Sequence, residues 1–142
     1  MGDARQVAKA ALEAFNAHDE RRIRATYTDN ATYEAPGGFS GGPDEATAYT
    51  MGWLNAFPDA RATVRKEIVA GDWVIQELTF TGTHEKPLVG PAGEIPATGK
   101  QVTGHGLDMF RIEGGKIAEE RLYFDQVEIL TQLGLMPEPA TA

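Results

Sequence analysis

The clearest indication of the fold comes from residues 101–125, QVTGHGLDMFRIEGGKIAEERLYFD. Apolar and polar residues alternate on either side of a Gly114-Gly115 pair, and such alternation is typical of strands with one buried face. Two adjacent glycines are a strong hairpin signal because both accept a positive φ. The sequence therefore predicts an antiparallel hairpin with strands at 101–112 and 116–124.

Two more strands are predicted upstream of this hairpin. The segments 62–70 and 73–83 are rich in Val, Ile, Thr and Phe, and the Gly71-Asp72 turn separates them. A shorter strand is predicted at 32–35, before the glycine-rich loop 36–42. The stretch 86–100 between strands is irregular, and long loops of this kind often border functional sites.

Helices are predicted at both ends of the chain. Apolar residues recur at helical spacing in three N-terminal segments, and Pro58 ends the third because a proline disfavours helix in the residue before it. In the first segment the apolar positions are Val7, Ala11, Leu12 and Phe15. In the second, which Asp19 caps, they are Ile23 and Tyr27. In the third they are Ala46, Tyr49, Trp53 and Phe57. A short last helix is predicted at 126–133, where Gly134 suits a C-cap.

This order predicts an α+β domain in which N-terminal helices cover one face of a curved antiparallel sheet of about four strands. With 142 residues, of which 42% are hydrophobic, the chain is long enough for one domain with a core. We expect that domain to span residues 1–136. The tail 137–142 is poor in large apolar groups, and we expect it to be frayed.

Charge and composition exclude several classes of function. A net charge of −8 disfavours nucleic acids and anionic membranes as partners, and the absence of cysteine removes thiolate chemistry and Cys-ligated metals. The three histidines lie in separate segments without metal-ligand spacing, so no metal site is predicted. No phosphate loop, dinucleotide fingerprint, signal peptide or membrane-spanning run is found, and we expect a cytoplasmic protein with a small-molecule partner.

The hairpin register predicts which side chains share a face. A turn centred on Gly114-Gly115 places Asp108 opposite Arg121. Residues two apart then lie on one face. That face comprises Gly104, Gly106, Asp108 and Phe110 beside Glu119, Arg121, Tyr123 and Asp125. The other comprises His105, Leu107 and Met109 beside Leu122 and Phe124, and it is predicted to pack on a core or a second subunit.

The more polar face is the predicted site. Covered by Tyr49, Trp53 and Phe57, it forms an aromatic cavity with a few polar groups, which is typical of a small-molecule site. Structural roles remain open for the same residues. Asp125 also suits a helix N-cap, and its two roles can coexist. Asp108 with Arg121 is favoured as an orienting salt bridge over a reacting pair.

Six short motifs together resemble a known family. They are Ala56-Phe57-Pro58-Asp59, Gly82-Thr83-His84, Ala97-Thr98-Gly99-Lys100, Gly115-Lys116-Ile117, Tyr123-Phe124-Asp125 and Gln132-Leu133-Gly134-Leu135. In order and spacing the chain is similar to the SnoaL-like polyketide cyclases, or ester cyclases, of the nuclear transport factor 2-like superfamily. The resemblance runs from Val7 to Met136.

The resemblance implies a cone-like barrel with a central pocket, often as a homodimer, and a cyclase that needs no metal and no organic cofactor. In such cyclases an aspartate near the end of the last strand deprotonates an activated carbon of a polyketide methyl ester, and the enolate closes a ring by aldol addition. By motif that aspartate matches Asp125. Many members carry Trp where this chain has Arg121, which leaves the substrate open.

The resulting site prediction has two parts. The catalytic candidates are Asp125, Tyr123, Arg121 and Asp108. The substrate-binding candidates are Trp53, Phe57, Tyr49, Phe110, His84 and Tyr33. Tyr123 or Arg121 would stabilise the enolate oxygen.

Other functions stay open at this point. Limonene epoxide hydrolase shares the fold and uses an Asp–Arg–Asp set, but Arg121 and Asp125 are roughly 13 Å of strand apart. A dehydratase, an isomerase and a non-catalytic binding module are further alternatives, because a fold does not determine a function.

Overall fold

A computed structural model describes residues 4–90 and 93–136, and the predicted frayed tail lies outside these residues. The helices are α1 (Ala4–Asn16), α2 (Glu20–Ala25), α3 (Pro43–Ala56) and α4 (Gln126–Gln132). The strands are β1 (Tyr27–Ala35), β2 (Phe39–Gly41), β3 (Arg61–Ala70), β4 (Trp73–Thr83), β5 (Leu88–Gly90), β6 (Gly93–Ile95), β7 (Gln101–Glu113) and β8 (Lys116–Phe124). The α+β class is confirmed. No helix in the described part of the chain is long and apolar enough to cross a membrane.

The main sheet has six strands in the order β2-β1-β8-β7-β4-β3, and β5 and β6 form a separate hairpin. The sheet is mixed rather than wholly antiparallel, because β1 runs parallel to β8. Strand β1 is also longer than predicted. Helix α2 starts after the predicted Asp19 N-cap but ends at Ala25, so Tyr27 begins β1 and is not helical.

A β-bulge in β8 changes the predicted hairpin register. Next to the turn Glu113 pairs with Lys116 and Ile112 with Ile117, as predicted. The following pair is Arg111 with Glu119, so Ala118 is an extra residue in β8. A bulge shifts every later pair by one, and each one-residue shift moves side chains to the opposite face.

The predicted faces are therefore right for β7 and wrong for β8 beyond the bulge. Asp108 pairs with Leu122 rather than Arg121. The inner face of β8 carries Glu120, Leu122 and Phe124 beside Gly104, Asp108 and Phe110 of β7. The outer face carries Glu119, Arg121 and Tyr123 beside Leu107, Met109 and Arg111.

Helices α1 and α3 pack over the inner face, where an aromatic cluster forms much of the core. Trp53 stacks on the fully buried Phe57 with ring centroids 5.6 Å apart, and it meets Phe124 edge-on at 5.5 Å. These contacts hold α3 against β8 and define one wall of the space between helices and sheet.

Helix α4 is tied to β7 where β8 has ended. Glu128 accepts from the backbone N–H of His105 at 2.8 Å, and Gln132 exchanges hydrogen bonds with the backbone of Thr103. Ile129 packs onto Gly104, where an added Cβ would lie 2.6 Å from its Cδ1. A larger residue at position 104 would displace the end of the Ile129 side chain, so the glycine allows α4 to approach the strand closely.

Candidate active site

A cavity of about 160 Å³ lies between the helices and the inner face of the sheet. Helices α1, α2 and α3 supply one side, and strands β1, β4, β7 and β8 supply the other. The sheet places alternate residues of each strand in this space, so the register of each strand decides which groups line the cavity.

One part of the cavity wall is aromatic. Trp53 meets Phe80 and Phe124 edge-on, with ring centroids 5.9 Å and 5.5 Å away, and Phe15 of α1 packs on Phe80 at 6.4 Å. Such edge-to-face pairs fix ring positions and exclude water. This part of the wall suits a flat, apolar ligand.

Two carboxyl groups form the polar centre of the cavity. Asp108 projects from β7 and Glu120 from β8, with only 8% and 6% of each residue exposed. Glu120 pairs with Phe110, two residues from Asp108, so the carboxyl groups are diagonal neighbours on one face. Side chains at diagonal positions reach each other.

The hydrogen bonds of the two carboxyl groups are unequal. The hydroxyl of Tyr27 donates to Oε1 of Glu120 at 2.6 Å. Oδ1 of Asp108 is buried and has no hydrogen-bond partner among the described residues. The other buried side-chain atom without a partner in the described residues is Nε2 of His84, and of these two residues Asp108 is the one that lines the cavity.

Burial raises the pKa of the Asp108 carboxyl well above its usual range, and the charge of Glu120 and a hydrogen bond to it raise that pKa further. Burial also raises the pKa of Glu120, but the hydrogen bonds from Asp108 and Tyr27 lower it. The pKa values of both carboxyls thus lie above their ordinary ranges, so the neighbouring pair retains a proton to higher pH than isolated carboxyls do.

Two buried phenols and an amide add further polar groups to the cavity. Burial raises the pKa of Tyr27 and of Tyr33 well above the ordinary phenol value, so both remain hydrogen-bond donors. Gln76 of β4 adds an amide. The described residues that line the cavity include no lysine or arginine, and their one histidine, His105, pairs with Glu128 at 3.0 Å.

Three of the predicted catalytic residues lie elsewhere. Asp125 is exposed, and its Oδ1 accepts from the backbone N–H groups of Val127 and Glu128 as the N-cap of α4. Because of the bulge, Tyr123 faces outward with 52% exposure, and Arg121 faces outward to pair with Glu119 at 3.2 Å.

The predicted Asp108–Arg121 salt bridge is therefore wrong. The other carboxylate near Arg121 is Glu34 of β1, 3.8 Å away on the outer surface. None of Asp125, Tyr123 and Arg121 is among the described residues that line the cavity.

The predicted substrate-binding residues divide into two groups. Tyr33, Tyr49, Trp53 and Phe110 lie on the cavity wall, and their contact with substrate stays a prediction. Phe57 and His84 lie behind that wall. Both are fully buried, and their rings stack on each other with centroids 5.2 Å apart. Nδ1 of His84 accepts from the backbone N–H of Thr98, so this histidine anchors the loop before β7.

Sequence reasoning missed Glu120, Tyr27 and Gln76. A signal for Glu120 was present, because Glu119 and Glu120 are adjacent on a strand and one of any such pair faces inward whatever the register. Tyr27 was assigned to a helix, which hid its position on the strand beside β8. Gln76 carried no signal that distinguishes it from an ordinary strand residue.

The described residues contain no group of three or more His, Asp or Glu side chains placed to hold a metal ion. The chemistry open to this arrangement is proton transfer. An ionised carboxylate accepts a proton from a ligand in the cavity, and the adjacent carboxylic acid donates one.

The family model described as SnoaL-like polyketide cyclase matches residues 5–133. The chain belongs to the SnoaL-like polyketide cyclase family. The earlier resemblance is confirmed, and with it a cyclase-type enzyme.

Two curated relatives of this family member are methyl ester cyclases. Aklanonic acid methyl ester cyclase DnrD of Streptomyces peucetius is 33% identical over 108 residues, which cover 72% of each chain. Nogalonic acid methyl ester cyclase of Streptomyces nogalater is 32% identical over 114 residues, which cover 79% of this chain and 80% of the relative.

A solved structure with a similar fold supports the assignment of this chain to the SnoaL-like family. IdmH from Streptomyces antibioticus has a TM-score of 0.80 and 27% identity, covering 93% of this chain and 99% of its own. The overall fold of this chain is thus shared with that structure.

Proposed function

We propose that the protein closes a ring in a polyketide methyl ester by intramolecular aldol addition, with Asp108 and Glu120 as its acid–base pair. The observation that carries this proposal is the buried pair itself, which faces the family's cavity with Asp108 Oδ1 unpartnered among the described residues. The names of two curated relatives supply the substrate class.

An aldol addition needs a base and an acid at the same time. The Glu120 carboxylate removes a proton from the carbon activated by neighbouring carbonyls, and the enolate carbon bonds to a second carbonyl carbon of the same molecule. The oxygen of that carbonyl takes the proton of Asp108 and becomes a hydroxyl. No atoms are gained or lost by the substrate.

The enzyme is reset by one proton transfer within the pair. After ring closure Glu120 holds the proton taken from carbon and Asp108 is ionised. Because the two carboxyls are hydrogen-bonded neighbours, the proton passes from Glu120 to Asp108 and restores the starting state. Tyr27 then stabilises the Glu120 carboxylate again through its 2.6 Å hydrogen bond.

The test uses the esters named for the two relatives. Aklanonic acid methyl ester and nogalonic acid methyl ester are incubated with the protein in D₂O, and products are separated by chromatography and mass spectrometry. We expect an isomer from at least one ester, with a composition unchanged apart from deuterium taken up from the solvent, and deuterium exchange at the reacting carbon that is faster than without protein. Absence of both the isomer and protein-dependent exchange with both esters contradicts the proposal.

Two further substrates separate the remaining alternatives. Addition of one water to an epoxide would assign a hydrolase, and loss of water from a hydroxyketone would assign a dehydratase. Ligand binding without turnover of any substrate would assign a binding module.

We also propose a homodimer formed through the outer face of the sheet. Leu107 pairs with Tyr123 across β7 and β8, and Ile75 of β4 lies between Met109 and Ile68. Leu107, Tyr123 and Ile68 are each about half exposed, and an apolar patch across four strands favours association. Sedimentation of the protein and of a Leu107→Lys variant tests this: a dimer is expected for the first and a monomer for the second.

A further inference from the structure

Gln76 is the buried neighbour of Asp108 on the inner face of the sheet. Only 2% of the residue is exposed, and it lines the cavity. In the β4–β7 register Gln76 pairs directly with Asp108. Directly paired residues on one face have Cβ atoms about 5 Å apart, so the amide lies beside the acid–base pair.

The orientation of this amide is set by its partner on β3. Nε2 of Gln76 donates to Oε2 of Glu67 at 2.8 Å, and Oε1 of Glu67 accepts from Nε of Arg5 at 3.1 Å. A carboxylate accepts hydrogen bonds and does not donate them. The amide therefore keeps its NH₂ group toward Glu67, and Oε1 is the polar atom that Gln76 offers to the cavity.

We propose that Gln76 is a specificity-determining residue whose Oε1 accepts a hydrogen bond from an enol or phenol hydroxyl of the substrate. Glu67 is a positioning residue that acts through Gln76 by preventing the amide from turning. The place of this hydroxyl in the reaction rests on the proposed aldol chemistry, but its recognition does not. A ligand without the hydroxyl leaves the carbonyl of Gln76 unpaired, which is how buried polar groups reject analogues.

The test compares two ligands that differ at this one group. Binding of 1-naphthol and 1-methoxynaphthalene is measured by isothermal titration calorimetry with the full chain. We expect the wild type to bind the hydroxyl compound about tenfold more tightly, the range for one buried hydrogen bond. In Gln76→Leu we expect that ratio to fall to about one, with no loss of affinity for the methoxy compound.

The role of Glu67 is tested with an isosteric change. In Glu67→Gln the new amide presents either a donor or an acceptor to Gln76, so both orientations become populated and the ratio falls to about threefold. Because Glu67 acts through Gln76, the change adds nothing in the Gln76→Leu background. Glu77→Gln is the matched control: Glu77 is the next residue on β4, exposed on the outer face, and the ratio stays at the wild-type value.

Three results overturn the proposal: equal affinity of the wild type for both ligands, a preference that survives in Gln76→Leu, and binding of neither ligand. A hydroxyl preference lost in Gln76→Leu, together with inert methyl esters, retains this inference and removes the proposed cyclisation. Ring closure of a methyl ester by a protein without a hydroxyl preference retains the proposed cyclisation and removes this inference.

Discussion

The carboxylate at the end of β8 and the carboxyl pair in the middle of the sheet contrast within one hairpin. Asp125 is exposed, and its oxygen satisfies two backbone N–H groups of α4. Asp108 and Glu120 are buried, and Asp108 Oδ1 has no partner among the described residues. Asp125 stabilises the fold as the N-cap of α4, whereas the burial of the Asp108–Glu120 pair lowers the stability of the folded protein.

This difference separates two uses of the same functional group. A carboxylate that caps a helix already accepts hydrogen bonds from the backbone, and at Asp125 both of these bonds are made by one oxygen, Oδ1. A buried carboxyl with a raised pKa and a free oxygen is poised to exchange a proton. The comparison therefore supports a structural role for Asp125, and it favours Asp108 and Glu120 as the acid–base pair of the proposed reaction.

The largest expected effect is on turnover. Asp108→Asn and Glu120→Gln each remove one half of the acid–base pair without changing its shape, and each is expected to lower the rate of ring closure about 10²- to 10⁴-fold. Steady-state kinetics with the methyl ester that proves active measures this loss.

The matched control for Glu120→Gln is Glu119→Gln. Glu119 is adjacent in sequence but faces outward in an ion pair with Arg121. We expect this variant to keep the wild-type turnover. Equal losses in the two variants would mean that the register, and with it the assignment of inner and outer faces, is wrong.

The second prediction concerns stability. In the folded protein the pKa of Asp108 is raised, so between its ordinary pKa and that raised value the unfolded chain loses a proton that the folded chain retains. The free energy of unfolding therefore falls as the pH rises through this window. An asparagine side chain does not titrate, so Asp108→Asn is expected to be more stable than the wild type by about 2 kcal/mol at alkaline pH.

Urea denaturation at about pH 5 and about pH 8 measures this difference. The advantage of the Asp108→Asn variant should be larger at the higher pH. A variant that is less stable at both values would show that Asp108 is held by favourable contacts and would weaken the contrast with Asp125.

The smallest expected effect is at the helix cap. Asp125→Ala removes the side-chain acceptor of α4 and should lower the free energy of unfolding by about 1 kcal/mol, measured by urea denaturation. Asp125→Asn retains a good cap and should leave both stability and turnover close to wild type. If Asp125→Asn instead loses turnover as completely as Asp108→Asn, the acid–base role belongs to Asp125.

Most of the fold follows from sequence patterns. The Gly114-Gly115 turn, the strands on both sides of it and the Asp19 and Asp125 caps all rest on local signals, and the structure has each of them. The parallel pairing of β1 with β8 joins distant segments, and no local pattern announces it. Long-range pairing is where sequence reasoning was least informative.

The candidate site was harder to predict because one extra residue, Ala118, determines which side chains of β8 face the cavity. Up to Ile117 the predicted pairing holds, and beyond Ala118 every side chain of β8 changes face. The alternation of residues along a strand predicts that neighbours point to opposite faces, but it does not predict where a β-bulge shifts the register. The sequence thus led to a strand that lines the cavity, but it placed Arg121 and Tyr123 on the inner face, where Glu120 and Leu122 lie.

The hydrogen bond between Tyr27 and Glu120 joins positions 93 residues apart in the chain. During synthesis both strands of the β3–β4 hairpin leave the ribosome well before β8 does. Until β8 emerges, β1 has no parallel strand to pair with. Contacts of such separation form late because the intervening chain must first be ordered. A nascent or C-terminally truncated chain that lacks β8 therefore carries Trp53, Phe80 and Asp108, but it lacks both Phe124 of the aromatic wall and Glu120, the hydrogen-bond partner of Tyr27.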